Sequence, residues 1–141
     1  MSEEDETVGI IFPLYNEIIE RALEENKDVF AKYSRRKLEQ GDTLYLYSSG
    51  PSGLKNITAK AKIEETTKLK PNKVWERYRD RLFQNKKEFN DYTKDRKNKK
   101  MLVLELTDIK ELKETVEAPG NMTVAGLYVD KNMKQKIEEK T

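Results

Sequence analysis

Apolar and polar positions alternate most cleanly over residues 54–65, where Ile57, Ala59, Ala61 and Ile63 take every second place and Thr58, Lys60, Lys62 and Glu64 fall between them. A period of two sends the first set to one face of a strand, against a core, and the second toward water. Thr43 to Ser48 repeats the pattern, with Leu44 and Leu46 on one face and Tyr45 and Tyr47 on the other. Met101 to Leu106 is a nearly continuous apolar run, as in a central strand covered on both sides. Ile109 to Leu112 reads as its continuation or as a turn, and Val29 to Tyr33 as a further short strand. Elsewhere the period lengthens to four. Leu14, Ile18 and Ala22, with Ile19 and Leu23, predict an amphipathic helix over 13–25 with Pro13 in its first turn. Val74, Tyr78 and Leu82 predict a second helix over 71–83, opened by Pro71, and Phe89 and Tyr92 a third over 86–95. Residues 130–139 read as a terminal helix and 122–129 as irregular chain or a short strand. Turns or loops are expected at Gly41-Asp42, Ser49–Gly53, 96–100 and 118–121. Strands and helices interleave without the strict alternation of a doubly wound fold. The expected class is therefore α+β, a small, curved, mixed sheet with flanking helices.

Composition narrows the chemistry. The chain has 141 residues, the size of one domain, and no apolar run approaches the roughly 20 residues of a membrane span. Its acidic start, Met1 to Glu6, is the opposite of a signal peptide's basic lead. The expectation is a cytoplasmic protein with a disordered acidic leader over 1–8 and a single domain over 9–141. There is no Cys and no His. That removes thiolate nucleophiles, zinc-thiolate centres, imidazole bases, Ser-His-Asp triads and His-ligated metals. No metal and no cofactor are expected. Abundant Lys and Glu without Cys would suit a thermophile.

Charge is unevenly spread, although the formal net is only +2. Residues 1–26 hold eight acidic side chains and one basic, whereas residues 55–100 hold sixteen basic and seven acidic. A basic middle points to a polyanionic partner. Lys32-Tyr33-Ser34-Arg35-Arg36-Lys37 is the densest candidate, because Arg can grip a phosphate bidentately and Lys adds a point charge. On a strand, Lys32, Ser34 and Arg36 share one face and Tyr33, Arg35 and Lys37 the other. Tyr47-Ser48-Ser49-Gly50-Pro51-Ser52-Gly53-Leu54-Lys55 is a second candidate, in which small residues let backbone N–H groups approach an anion and Ser48 and Ser49 add hydroxyls. It lacks the Walker spacing. Trp75, among Arg77, Arg79 and Arg81, could stack on a splayed base, although Val74, Tyr78 and Leu82 are core positions. Residues 94–100, with five cations among seven, read as a flexible loop that touches phosphate non-specifically.

Three segments, in order, carry a family resemblance. Val29-Phe30-Ala31-Lys32-Tyr33-Ser34-Arg35-Arg36 follows a helix and resembles the ASCH segment in which a Lys precedes a Glu and an Arg. Gly41-Asp42-Thr43-Leu44-Tyr45-Leu46-Tyr47-Ser48-Ser49, with the stretch from Gly50 to Lys60, resembles that family's strand–loop–strand core. Asn121-Met122-Thr123-Val124-Ala125-Gly126-Leu127-Tyr128 resembles the C-terminal signature of an archaeal group. The chain is thus similar, over 11–139, to members of the PUA-like superfamily, in particular an archaeal family close to the ASCH domains. It departs from the ASCH pattern where the Glu would stand, which is Ser34 or Arg35 here. The resemblance implies a five- or six-stranded β pseudo-barrel with flanking helices, and a cleft that in relatives accepts RNA or a modified nucleobase or nucleoside.

The first expectation is an RNA- or modified-base-binding module. Lys32, Arg35, Arg36 and Lys55 would contact phosphate, Ser48 and Ser49 would sit beside the cleft, and Tyr47 or Trp75 would stack on a base. The alternative is a small metal-independent amidohydrolase acting on an acylated nucleoside, with Lys32, Ser34 and Glu64 or Glu65 in the roles that the resemblance implies. A third is a protein-interaction domain docking through the acidic leader or the terminal helix.

Overall fold

The computed structural model describes residues 6–51 and 53–139. In chain order the elements are β1 (Thr7–Tyr15), α1 (Asn16–Glu24), β2 (Val29–Lys32), β3 (Thr43–Ser49), β4 (Ile57–Leu69), α2 (Pro71–Tyr78), α3 (Lys86–Thr93), β5 (Met101–Val116), β6 (Leu127–Asp130) and α4 (Lys131–Glu139). The six strands form one sheet in the order β2-β5-β4-β3-β1-β6. Only the β1–β3 pair is parallel. The long β4 and β5 shift register three times along their pairing, and each shift bends the ladder. The result is a curled half-barrel with helices against it, the mixed pseudo-barrel expected from the sequence.

Alternation along each strand divides the core. Ile10 and Phe12 of β1, Leu44 and Leu46 of β3, Ala59, Ala61 and Ile63 of β4, and Leu102, Leu104 and Leu106 of β5 line one face, closed by Ile18, Ile19 and Ala22 of α1. The other face has two patches. Val29 and Ala31 of β2 with Met101 and Val103 are covered by Val74 and Tyr78 of α2 and Phe89 of α3. Ile11, Tyr45, Ile57, Leu112 and Val129 are covered from α4 by Ile137. Each fully buried Ile, Leu or Phe contributes roughly 1.5–3 kcal/mol by leaving water.

The first helix corrects the sequence reading. Pro13 and Leu14 are strand, and the helix begins at Asn16. Ile10, Ile11 and Phe12 are each fully buried, with the neighbouring positions facing opposite clusters, so β1 shows no polar alternation. Pro13 is tolerated because β6 pairs with β1 only as far as Ile11, so beyond it one flank of β1 has no ladder. Of the expected leader, residues 1–5 lie outside the described residues, and Thr7 and Val8 are strand. The second helix ends at Tyr78 rather than at 83. Beyond it the chain extends beside β2: Asp28 and Val29 donate to the Arg81 carbonyl at 3.1 and 3.0 Å, and Phe83 donates to the Val29 carbonyl at 3.0 Å. Thr58, expected to face water, is buried beside the Ile57/Ala59 register shift. The remaining strands and helices fall where the periodicity puts them, within a few residues.

Candidate functional site

β2 ends at Lys32, and the chain from Tyr33 to Glu39 continues without regular structure. Its alternation still decides where each side chain goes. Lys32 turns toward the inner face, with its ammonium 4.3 Å from the centroid of the Phe12 ring and donating to the Val124 carbonyl at 2.5 Å. Arg36 follows on the same side. Its Nε donates to the Ala125 carbonyl at 2.9 Å, its Nη2 to the Gly126 carbonyl at 2.7 Å, and its guanidinium lies over the Tyr128 ring at 4.5 Å. Two cations thus grip three successive carbonyls of the irregular segment before β6. Gly126 makes this approach possible, since it has φ +81° and a Cβ there would meet the Ile11 carbonyl and the Phe12 ring at 2.6 Å. The Lys37 backbone N–H donates to the Tyr128 hydroxyl at 2.7 Å and fixes the same segment again.

Tyr33 takes the opposite face. Its backbone N–H donates to the Tyr92 hydroxyl at 2.9 Å, its own hydroxyl donates to the Arg96 carbonyl at 2.7 Å, and the two rings lie 5.3 Å apart. The Arg96 guanidinium lies over both, at 4.2 Å from Tyr33 and 4.6 Å from Tyr92.

Between these two walls is a cleft of about 880 Å³. Pro13, Leu14, Ile18 and Phe30 supply its apolar surface, and Tyr15 and Ser49 stand at its lip. Lys32, Arg35, Arg36, Arg96 and Lys99 line it, and among the described residues no Asp or Glu does. Among the described residues the ion pairs lie elsewhere, as in Arg21–Glu88, Lys60–Glu138 and Arg81–Asp28. Lys32, Arg36 and Arg96 are held instead by neutral carbonyls and ring faces, which do not cancel their charge. The electrostatic consequence is visible at Lys32, whose pKa is lowered to about 8, first by burial and then by the neighbouring Arg36. Burial pushes the Tyr33 hydroxyl up, with Arg96 opposing.

The structure brings together Lys32, Ser34, Arg35, Arg36 and Ser49 of the residues expected from the sequence. The others stand outside the cleft lining. Ser48 is fully buried; its hydroxyl donates to the Asn16 side-chain oxygen at 2.8 Å and accepts from the Leu54 N–H at 3.0 Å, so it braces the loop. Lys55 bends back to the Gly50 carbonyl at 3.1 Å. Tyr47 packs against the cluster beneath α4. Trp75 packs on Phe89 with ring centroids 5.4 Å apart. Glu64 and Glu65 are exposed on β4. Sequence reading missed Tyr15, Tyr92 and Tyr128, gave Tyr33 no role within its cluster, and gave Arg96 and Lys99 only a non-specific one. The clue to Arg96 and Lys99 was the cationic run 94–100, which is folded back onto tyrosines rather than free.

The family model described as Domain of unknown function (DUF365) matches residues 7–131. The chain belongs to that family. No curated protein matches it. Among solved structures it is similar to ASCH from Zymomonas mobilis, with a TM-score of 0.80 at 16% identity over 94% of each chain. Two point mutants of the same protein give TM-scores of 0.80 and 0.79 at 17% and 16% identity, over 94% of this chain and 96% and 97% of theirs. At such identity the likeness speaks to the fold, and this member of the DUF365 family has the ASCH, PUA-like fold. No helix among the described residues is long and apolar enough to cross a membrane.

Proposed function

We propose that the cleft binds RNA or a modified nucleobase, with Lys32, Arg35 and Arg36 on phosphate and a cleft tyrosine against the base. One observation carries this reading: five cations and five aromatic rings line a cavity that, among the described residues, no carboxylate lines. Cations next to ring faces suit a ligand that is both anionic and flat. The resemblance to PUA-like relatives and the ASCH fold of the chain support the same class of ligand. Phosphate contacts would set affinity, and the apolar surface beside Phe30 would receive a base presented in a single strand. Labelled single-stranded RNA, single-stranded DNA and duplexes, titrated with protein at roughly 50 and 200 mM salt, test this. Single-stranded RNA should bind with a salt-dependent affinity that Arg35→Ala with Arg36→Ala weakens. Absence of binding to all three at low salt would sink it.

The hydrolytic alternative keeps one supporting observation, the lowered pKa of Lys32, which makes its amine available as a base near neutral pH. Among the described residues it lacks a partner carboxylate in the cleft, and Glu64 and Glu65 do not line it. Incubation with N-acylated nucleosides decides the matter. Release of acid that Lys32→Ala abolishes would promote this reading over the first.

A further inference from the structure

The cations of the cleft fall into two groups rather than one. Lys32 and Arg36 stand on one face of the extended 32–36 segment and point at residues 124–126. Arg96 and Lys99 stand beside Tyr33, on the other face, with Lys99 at 5.8 Å from the ring centroid. Both groups line the same cavity, with the apolar surface of Phe30 and Ile18 in it. A ligand that satisfies both must carry anionic groups on two sides of a flatter, less polar part.

We infer that Arg96 and Lys99 form a second phosphate subsite, so that the occupant is a nucleotide within a single RNA strand, flanked by phosphates, rather than a free nucleoside. This rests on the reading of the cleft as a nucleic-acid site. Three features support it. The Arg96 guanidinium is held in place by two tyrosine faces and by one hydrogen bond, Nη2 to the Tyr92 carbonyl at 2.7 Å. A guanidinium has five N–H donors, so most of its capacity is left for a phosphate. The cavity volume of about 880 Å³ is at the upper end of the range for whole small-molecule ligands, roughly 300–1,000 Å³. Finally, Arg96 and Lys99 also line an adjoining hollow of about 510 Å³, together with Asp95, Lys97 and Asn98. A strand leaving the cleft past Arg96 would meet three cations and one carboxylate there.

The test compares wild-type protein with Arg96→Ala/Lys99→Gln on a labelled single-stranded RNA of about ten nucleotides, across salt concentrations. Lys99→Gln alone is the second variant, because it leaves the guanidinium and both rings in place. The expected result is a loss of about tenfold or more for the double variant and a smaller loss for the single one. The salt slope should flatten by about 0.7 for each phosphate contact removed. Wild-type binding with affinity and slope unchanged within about twofold in both variants would overturn the second subsite and leave the first standing. Failure of the wild-type protein to bind RNA at all would overturn the underlying reading as well.

Discussion

The Lys32 ammonium sits 4.3 Å from the Phe12 ring centroid and 2.5 Å from the Val124 carbonyl, and none of the ion pairs among the described residues includes it. A ring face and a carbonyl soften the burial of a charge without cancelling it. The pKa of Lys32, lowered from 10.5 to about 8, gives that arrangement a pH dependence. The folded protein holds this proton more weakly than the unfolded chain does. Between pH 8 and 10.5 the unfolded state therefore binds more protons, and stability from this group rises with pH across that window. Urea midpoints of the wild type and Lys32→Met, measured from pH 7 to 10.5, should converge as pH rises, with the variant ahead at the acid end. A difference that does not change with pH would contradict the lowered pKa.

An anionic ligand reverses the preference. It favours the ammonium, so binding should take up a proton near pH 8, and affinity for RNA should fall as pH rises through that value. Calorimetry in buffers of different ionisation enthalpy reads the proton directly. Lys32→Met should lose both the uptake and the pH dependence.

Arg36 has two duties, as a charge facing the cleft and as a clasp on Ala125 and Gly126. Arg36→Lys keeps the charge but not the planar fork. It is expected to retain most of the RNA affinity while speeding hydrogen exchange at the Gly126 amide, which donates to the Thr123 carbonyl at 3.0 Å. Arg36→Ala should lose both. Equal exchange in all three proteins would show that the clasp does not hold the segment.

Gly126 supports that segment from below. Alanine there would have to adopt φ +81° and push against the Ile11 carbonyl and Phe12 ring. A loss of roughly 1–3 kcal/mol in a denaturant titration is expected. Gly41→Ala is the control, with a positive φ of +94° but open space around it, and should lose less.

Two residues with the composition of a binding site are expected to affect stability alone. Ser48→Ala removes a buried hydroxyl from Asn16 and Leu54 and should destabilise by about 1–3 kcal/mol. Trp75→Ala uncovers Phe89 and should cost about 1–3 kcal/mol, less than a fully buried tryptophan because the ring is partly exposed. RNA affinity of the folded variants should match wild type within about twofold; a larger loss in either would return that residue to the interface.

Much of this fold was legible because most strands have one polar face, or a run too apolar for anything else. Leu44 with Leu46, and Ala59, Ala61 and Ile63, reach the same cluster that their spacing assigns them. β1 was hidden because Ile10, Ile11 and Phe12 are covered from both sides, leaving no period, while Pro13 resembles a helix opening. Half of the site was legible too, since charge at a strand end marks Lys32 to Arg36 whatever the tertiary structure. The other half depends on contacts across about sixty residues, Tyr33 with Tyr92 and Arg96, for which local pattern carries no signal. The same limit explains Trp75: a tryptophan between arginines has one composition whether it faces a base or Phe89.

The most direct test of the cleft as a nucleic-acid site is a map of amide shifts in isotope-labelled protein titrated with single-stranded RNA. Shifts should concentrate at residues 31–36, 124–126 and 96–99 and leave the Trp75 indole signal in place. Shifts confined to the outer faces of α2 and α4, with residues 31–36 unmoved, would contradict it.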